Sequence, residues 1–195
     1  MTNKYSKHTA EFLDNKTNSI ISLFFEFAQL KNLYREGWLR RGVSKEECES
    51  VADHSFLVGV LGYCIASEYR PDLDAGKVML LGIFHEPGEI HAGDMTPHDK
   101  VSKEEKHRRE YESVKKVFSR LSNPDKYINL WLEFEEQKTP ESRFTKHIDC
   151  LEMVLQATLY EKMNYKNLDE FFPYVQEKIK SGELRPIMDE ILKLR

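Results

Sequence analysis

The sequence predicts an all-α fold, a single helical bundle, and three observations predict it. Apolar residues recur at intervals of three and four along most of the chain, the period of one helix face. No Asn-Gly or Asp-Gly pair sits between alternating apolar runs, so hairpin signals are poor. The length of 195 residues suits one domain, 1–195, and no repeat, low-complexity tract or linker divides it.

Residues 1–17 read as a loose arm or a short helix. Ile20, Leu23, Phe24, Phe27 and Leu30 then follow the helical spacing. A loop around Gly37 and Gly42 carries Arg35, Trp38, Arg40 and Arg41. The spacing of Val51, His54, Val58, Leu61 and Ile65 predicts a helix over about 47–69. Pro71 ends it, because proline disfavours α geometry at the residue before it. A third helix covers about 75–85 and stops at Pro87-Gly88. Residues 94–102 read as loop and 103–121 as a charged surface helix, its Lys103–Arg109 run a solvated face. Two more helices follow at 124–138 and 141–163, the second with Phe144, Ile148, Leu151, Leu155 and Leu159 as its core stripe. The tail, 167–195, reads as two short helices broken at Ser181-Gly182.

Composition narrows the function. Apolar residues make up 40% and charged residues 32%, which excludes a wholly disordered chain. The net charge is −4, so no global field draws a nucleic acid polymer, and a phosphate-bearing ligand needs a local site. No apolar run approaches the ~18 residues of a membrane helix. The polar N-terminus lacks the apolar core of a secretory signal. Cys48, Cys64 and Cys150 are odd in number and widely spaced, with no CxxC, as in reduced thiols. Together these features predict a cytoplasmic protein, with Cys64 and Cys150 as small core residues.

Three features break the helical pattern. His54 occupies an apolar face; His85 and Glu86 end an apolar helix; Asp149 flanks an apolar stripe, beside Glu152 and Gln156 in projection. Burying an ionisable group without a partner is costly. Imidazoles and carboxylates converging from three helices satisfy one another through a divalent metal. Spacing alone also allows a hydrogen-bonded core histidine and an Asp149 paired with Lys146.

The wider strings carry a resemblance. Glu49-Ser-Val-Ala-Asp-His-Ser55 resembles the first histidine motif of the HD-domain phosphohydrolases. The string from Gly82 through His85-Glu86, Glu89 and Gly93-Asp94 resembles the second, with His-Glu where the family usually has His-Asp. Lys146-His-Ile-Asp-Cys-Leu-Glu-Met153 resembles the final aspartate motif. The segment from Pro97 to Tyr111 looks like the connector of the 5′-deoxyribonucleotidase-like branch, and the whole resemblance spans about 20–163.

It implies a helical site in which His54, His85, Glu86 and Asp149 hold one divalent metal ion: Mn, Co, Fe, Ni or Zn. It implies that Glu89 or Asp94 positions or deprotonates the attacking water, and that Arg35 and Trp38 face the substrate. The implied activity is metal-dependent hydrolysis of nucleoside 5′-monophosphates, deoxyribonucleotides above all, by a homodimer. A nucleotide-binding protein weakened at Glu86, and a phosphohydrolase for another phosphorylated metabolite, are the alternatives. A two-iron oxygenase of the same fold needs further histidine ligands, and His91, His98 and His107 fall in loop or surface positions.

Overall fold

The computed structural model describes residues 7–14, 16–180 and 182–195. Among them ten α-helices follow in order: α1 (Ser19–Ala28), α2 (Glu36–Arg40), α3 (Val51–Tyr69), α4 (Ala75–Ile83), α5 (Glu89–Ala92), α6 (Lys103–Phe118), α7 (Pro124–Glu135), α8 (Pro140–Lys162), α9 (Phe171–Lys178) and α10 (Leu184–Leu194). Three short 3-10 turns join them, and the described residues contain no strand. One isolated antiparallel bridge pairs Tyr34 with Ser50.

The central element is the α3–α4 pair. A Cβ on Gly82 would lie 2.9 Å from the Gly59 backbone, so only glycine lets the two helices approach this closely. Gly62 faces Val78 in the same way, which sets an antiparallel register. That register places the start of α3, with His54, beside the end of α4, with His85. The long α8 crosses both, and Ile148 reaches Gly62 while the Thr145 hydroxyl donates to the Val78 carbonyl.

Two apolar clusters hold these helices. The larger joins Val58, Val78, Ile148, Leu151 and Val154 to Phe172, Met188 and Ile191 of α9 and α10. The smaller joins Leu30, Val51 and Ile90 to Val114, Phe118 and Trp131. His54 lies on α3 between Val51 of one cluster and Val58 of the other, so the polar site is set where the two cores meet. Truncating a side chain such as Leu151 to alanine costs about 2–5 kcal/mol.

Several expectations need correction. The segment around Gly37 is not all loop: Glu36–Arg40 is helical, because Asp94 Oδ2 accepts from the Glu36 N–H at 2.6 Å and caps it from far along the chain. The α3 helix starts at Val51, four residues late, because Ser50 and Asp53 form a capping box there. α4 ends at Ile83, two residues before the expected end, and Glu89 opens a separate one-turn helix, α5. On α1, Ile20 and Phe24 face outward, while Leu23 and Phe27 pack inward with Leu30 of the 3-10 turn that follows. On α8, Leu159 is exposed because Ala157 and Tyr160 occupy the interior at that turn. Cys64 is exposed on the outer side of α3, while Cys150 is buried. Thr9–Phe12 of the N-terminal arm forms a 3-10 turn; residues 1–6 and Ser181 lie outside the described residues.

Candidate active site

The first imidazole is fixed by a carboxylate behind it. His54 is fully buried, and its Nδ1 lies 2.6 Å from Glu152 Oε2, one turn beyond Asp149 on α8. Because a carboxylate accepts, Nδ1–H donates and Nε2 faces forward. There Nε2 lies 3.3 Å from His85 Nε2 and 3.2 Å from Asp149 Oδ1. His85 is set the same way: its Nδ1–H donates to the Gly82 carbonyl at 2.6 Å, leaving the Nε2 lone pair toward His54. Glu86 Oε1 lies 3.1 Å from that same Nε2. Ligating atoms of His54, His85 and Asp149 all lie within 4.8 Å of one another, and Glu86 abuts the group from the Arg35 side.

This donor set calls for a cation. His85 Nε2 and Glu86 Oε1 face each other acceptor to acceptor, a repulsive contact unless positive charge lies between them. The cluster already draws protons: burial and Arg35 disfavour a charged His54, yet hydrogen bonds to Asp149 and Glu152 outweigh them and lift its pKa to about 10. Burial works against ionised Asp149, but Lys146 and His54 hold it well below the usual carboxylate range. Burial likewise opposes ionised Glu86, and positive charge at His85, then Arg35, holds it low. The two imidazoles and Asp149 form a group able to hold a metal ion, a mixed nitrogen and oxygen donor set that suits a divalent one.

A cavity of about 520 Å³ opens beside this cluster, in the range that takes a small metabolite. Arg35, Trp38, Glu86, Glu89, Asp94, Lys106, Lys146, Asp149, Phe171 and Tyr174 line it. A second cavity of about 360 Å³ lies on the far side of Glu86, Lys106 and Lys146 and reaches His85. Arg35 sits 3.6 Å from Asp94 and 3.9 Å from Glu86. Burial opposes its charge, but Asp94, Glu89 and Glu86 raise its pKa above the ordinary value, so it stays cationic. Asp94 is doubly engaged, by Arg35 and by the Glu36 N–H. Glu89 is not: it is 2% exposed and its Oε2 has no hydrogen-bond partner. Burial, then Glu86 and Asp94, push its carboxyl well above the usual range.

The eight residues singled out in the sequence thus gather at one place, with different degrees of access. Trp38 is 2% exposed, and its indole N–H donates to Glu49 Oε1 at 2.6 Å, so it forms wall rather than an open platform. Burial, then Glu152, raises the Glu49 carboxyl to about 7. Sequence reasoning placed Glu152 beside Asp149 and allowed the Lys146–Asp149 pair, which forms at 2.8 Å, but gave Glu49 and Glu152 no part in the site and Lys106 and Lys146 none in the cavity. It also missed Phe171 and Tyr174 of the tail as cavity wall. For Glu152 a signal existed, since a residue three beyond Asp149 shares its helix face. For Phe171 and Tyr174 none did.

Residues 27–192 match the HD domain family. The human protein named 5′-deoxynucleotidase HDDC2 is 32% identical over 190 residues, covering 95% of this chain and 91% of the relative. The protein of the same name from Dictyostelium discoideum is 35% identical over 168 residues, covering 80% of this chain and 87% of its own. Among solved structures, the PH0347 protein of Pyrococcus horikoshii matches with a TM-score of 0.76 and 32% identity, over 90% of this chain and 99% of that one. With the paired histidines, the aspartate and the helical frame accounted for, the chain belongs to the HD domain family.

Proposed function

We propose that this chain is a phosphohydrolase that cleaves nucleoside 5′-monophosphates, deoxyribonucleotides in particular, to nucleoside and phosphate. The observation that carries this reading is the convergence of His54, His85 and Asp149 beside a cavity that also holds the buried cation Arg35. Relatives named 5′-deoxynucleotidases match nearly the whole chain. His54, His85, Glu86 and Asp149 hold one divalent ion, and this mixed nitrogen and oxygen set suits Mn, Co, Fe, Ni or Zn. Such an ion supplies Lewis acidity toward phosphoryl oxygens and lowers the pKa of a bound water.

The chain's own residues do the rest. Arg35 forks hydrogen bonds to non-bridging phosphate oxygens and stabilises charge as it develops. Asp94 holds Arg35 and the start of α2 in place, since both its oxygens are engaged. Glu89 handles the proton: at the cavity wall, with its Oε2 unpartnered, it orients the attacking water, takes its proton as the water oxygen bonds to phosphorus, and hands that proton to O5′ as the P–O5′ bond breaks. Trp38, Phe171 and Tyr174 pack against sugar and base.

The outer faces of α3 and α4 leave Phe56, Val60, Tyr63, Leu80 and Ile83 exposed. This apolar ridge is the surface we assign to a second copy, giving a homodimer; light scattering should return about twice 23.0 kDa. No helix among the described residues is long and apolar enough to cross a membrane. We place the protein in the cytoplasm on its thiol usage, three cysteines that pair with no partner. Metal analysis of the purified protein, coupled to phosphate release across ribo- and deoxyribonucleoside monophosphates, tests the reading. A metal-loaded protein that releases no phosphate from any of them sinks it.

A further inference from the structure

Two buried carboxylates lie behind the site, and the hydrolysis as argued leaves them without a task. Glu49 immediately precedes the cap of α3, and Glu152 lies on α8. Each commits one oxygen at short range: Glu49 Oε1 accepts from Trp38 Nε1 and Glu152 Oε2 from His54 Nδ1, both at 2.6 Å. Each leaves the other oxygen buried and unpartnered, Glu49 Oε2 and Glu152 Oε1. One ligating atom from each of Glu49, His54 and Glu152 falls within 4.8 Å of the other two. The backbone N–H of Glu49 donates to the Tyr160 hydroxyl at 2.8 Å, and Tyr160 meets the Trp38 ring edge-on. The carboxyl pair therefore bridges α2, the start of α3, and α8.

We propose that Glu49 and Glu152 are positioning residues that tie the indole wall of the cavity to the imidazole that faces the metal. The inference rests on the reading of His54 as a metal ligand. Glu152 keeps the His54 ring in the tautomer that presents Nε2 forward. Glu49, with a ligating atom within 4.8 Å of one on Glu152, backs that carboxylate while its Oε1 holds the Trp38 indole. Loading of the metal site is thereby felt at the substrate wall, and a substrate pressing on Trp38 is felt at His54. Partners of metal-bound histidines typically change metal affinity about 10–100-fold when lost.

The test uses the full chain, Zn²⁺ as probe and tryptophan emission as readout. The chain has two tryptophans, so Trp131→Phe isolates Trp38. Zn²⁺ has a closed shell and does not quench by itself. In this background Zn²⁺ should shift Trp38 emission, and Glu152→Gln should remove the shift and weaken Zn²⁺ about 10–100-fold in chelator competition. Glu49→Leu should also weaken Zn²⁺, while Glu49→Gln should restore it, because the amide offers an N–H to Glu152 and an oxygen to the indole. Circular dichroism confirms that each variant is folded, and the Glu49→Gln rescue guards against simple misfolding. Wild-type Zn²⁺ affinity in Glu152→Gln, or a Trp38 emission indifferent to Zn²⁺, overturns the coupling alone, provided that His54→Ala has lost Zn²⁺. Wild-type affinity in His54→Ala removes the metal site and the coupling with it.

Discussion

His54 and His85 meet with ring centroids 5.2 Å apart and planes at 67°, whereas His8 and His91 lie 4.5 Å apart with planes 8° from parallel. Each pair has carboxylate company, Asp149 and Glu152 for the first and Glu26 for the second, at 2.9 Å from His91 Nε2. Each contributes to a set of three metal-ligating side chains. The difference lies in direction. Imidazole lone pairs lie in the ring plane, so tilted rings can aim two nitrogens at one ion and stacked rings cannot. The nitrogens of His8 are also engaged, with Nε2 donating to the Ile90 carbonyl and Nδ1 accepting from Ala10 N–H. Lys116 approaches His91 Nδ1 at 3.4 Å and further disfavours a cation there. The first pair is the candidate metal centre; the second pins the N-terminal arm to α5. Residue type brings a metal site within reach, and ring orientation decides it.

The widest separation between the pairs should appear in metal binding. His54→Ala should lose Zn²⁺ affinity by at least about 100-fold, beyond the range for a supporting residue, and phosphate release should fall to background. His91→Ala should bind Zn²⁺ as wild type does. Equilibrium dialysis of the two variants side by side decides this, and a comparable loss in His91→Ala would erase the distinction.

A smaller effect is expected at Glu86, a glutamate one methylene longer than the aspartate usual in the family motif. That methylene adds about 1.5 Å of reach against a metal–ligand distance that tolerates about 0.2 Å. Here the carboxylate already lies 3.1 Å from His85 Nε2, and Pro87-Gly88 follows it at once. The break in the helix lets the backbone absorb the extra length. Glu86→Gln should therefore cut phosphate release about tenfold or more, while Glu86→Asp should change rate or metal preference only modestly. A sharp rise in activity in Glu86→Asp, from a wild type no better than His54→Ala, would mark this site as a weakened binder.

Both pairs were unequally visible in the sequence. His54 stood out because it interrupts a strict apolar spacing, and His85-Glu86 because it ends one. The helices were legible for the same reason, since periodicity reports which face is buried. What periodicity cannot report is a partner far along the chain. The cap that Asp94 places on Glu36 spans 58 residues, and α2 was therefore read as loop. Phe171 and Tyr174 reach the cavity only through the packing of α9 on α8. The stacking of His8 on His91 is of the same kind, joining an arm with no motif to a one-turn helix.

Protonation offers a third contrast, through Glu110 on α6, which packs against Gly88 beside the first pair. Burial raises its pKa from 4.5 to about 7, against the pull of Lys106. Between these values the folded chain keeps a proton that the unfolded chain releases, so this group's contribution to stability falls as pH rises. The loss amounts to up to about 3 kcal/mol by pH 8. Glu110→Gln, without added metal, should melt several degrees above wild type at pH 8 and close to it at pH 4.5, at about 2–4 °C per kcal/mol for a chain this size. Equal offsets at both pH values would show that folding leaves the Glu110 pKa where the unfolded chain has it.

The smallest effect belongs to the second pair. His8→Ala removes the hydrogen bond to the Ile90 carbonyl, the cap on the Ala10 N–H and one ring stack, a loss of about 1–2 kcal/mol. Burial first, and then His91, lower the His8 pKa, with Glu26 and Lys116 the other charged groups that act on it. A base whose folded pKa is depressed contributes stability that is present above about 6.5 and lost as pH falls. The melting difference between wild type and His8→Ala should thus be largest near pH 8 and shrink toward pH 5, with Zn²⁺ binding unchanged at either. A difference that grows on acidification would mean that His8 becomes charged within the fold and is held by Glu26. The stacked pair would then be a cation-seeking cluster like the first, and ring orientation would no longer be what sets the two apart.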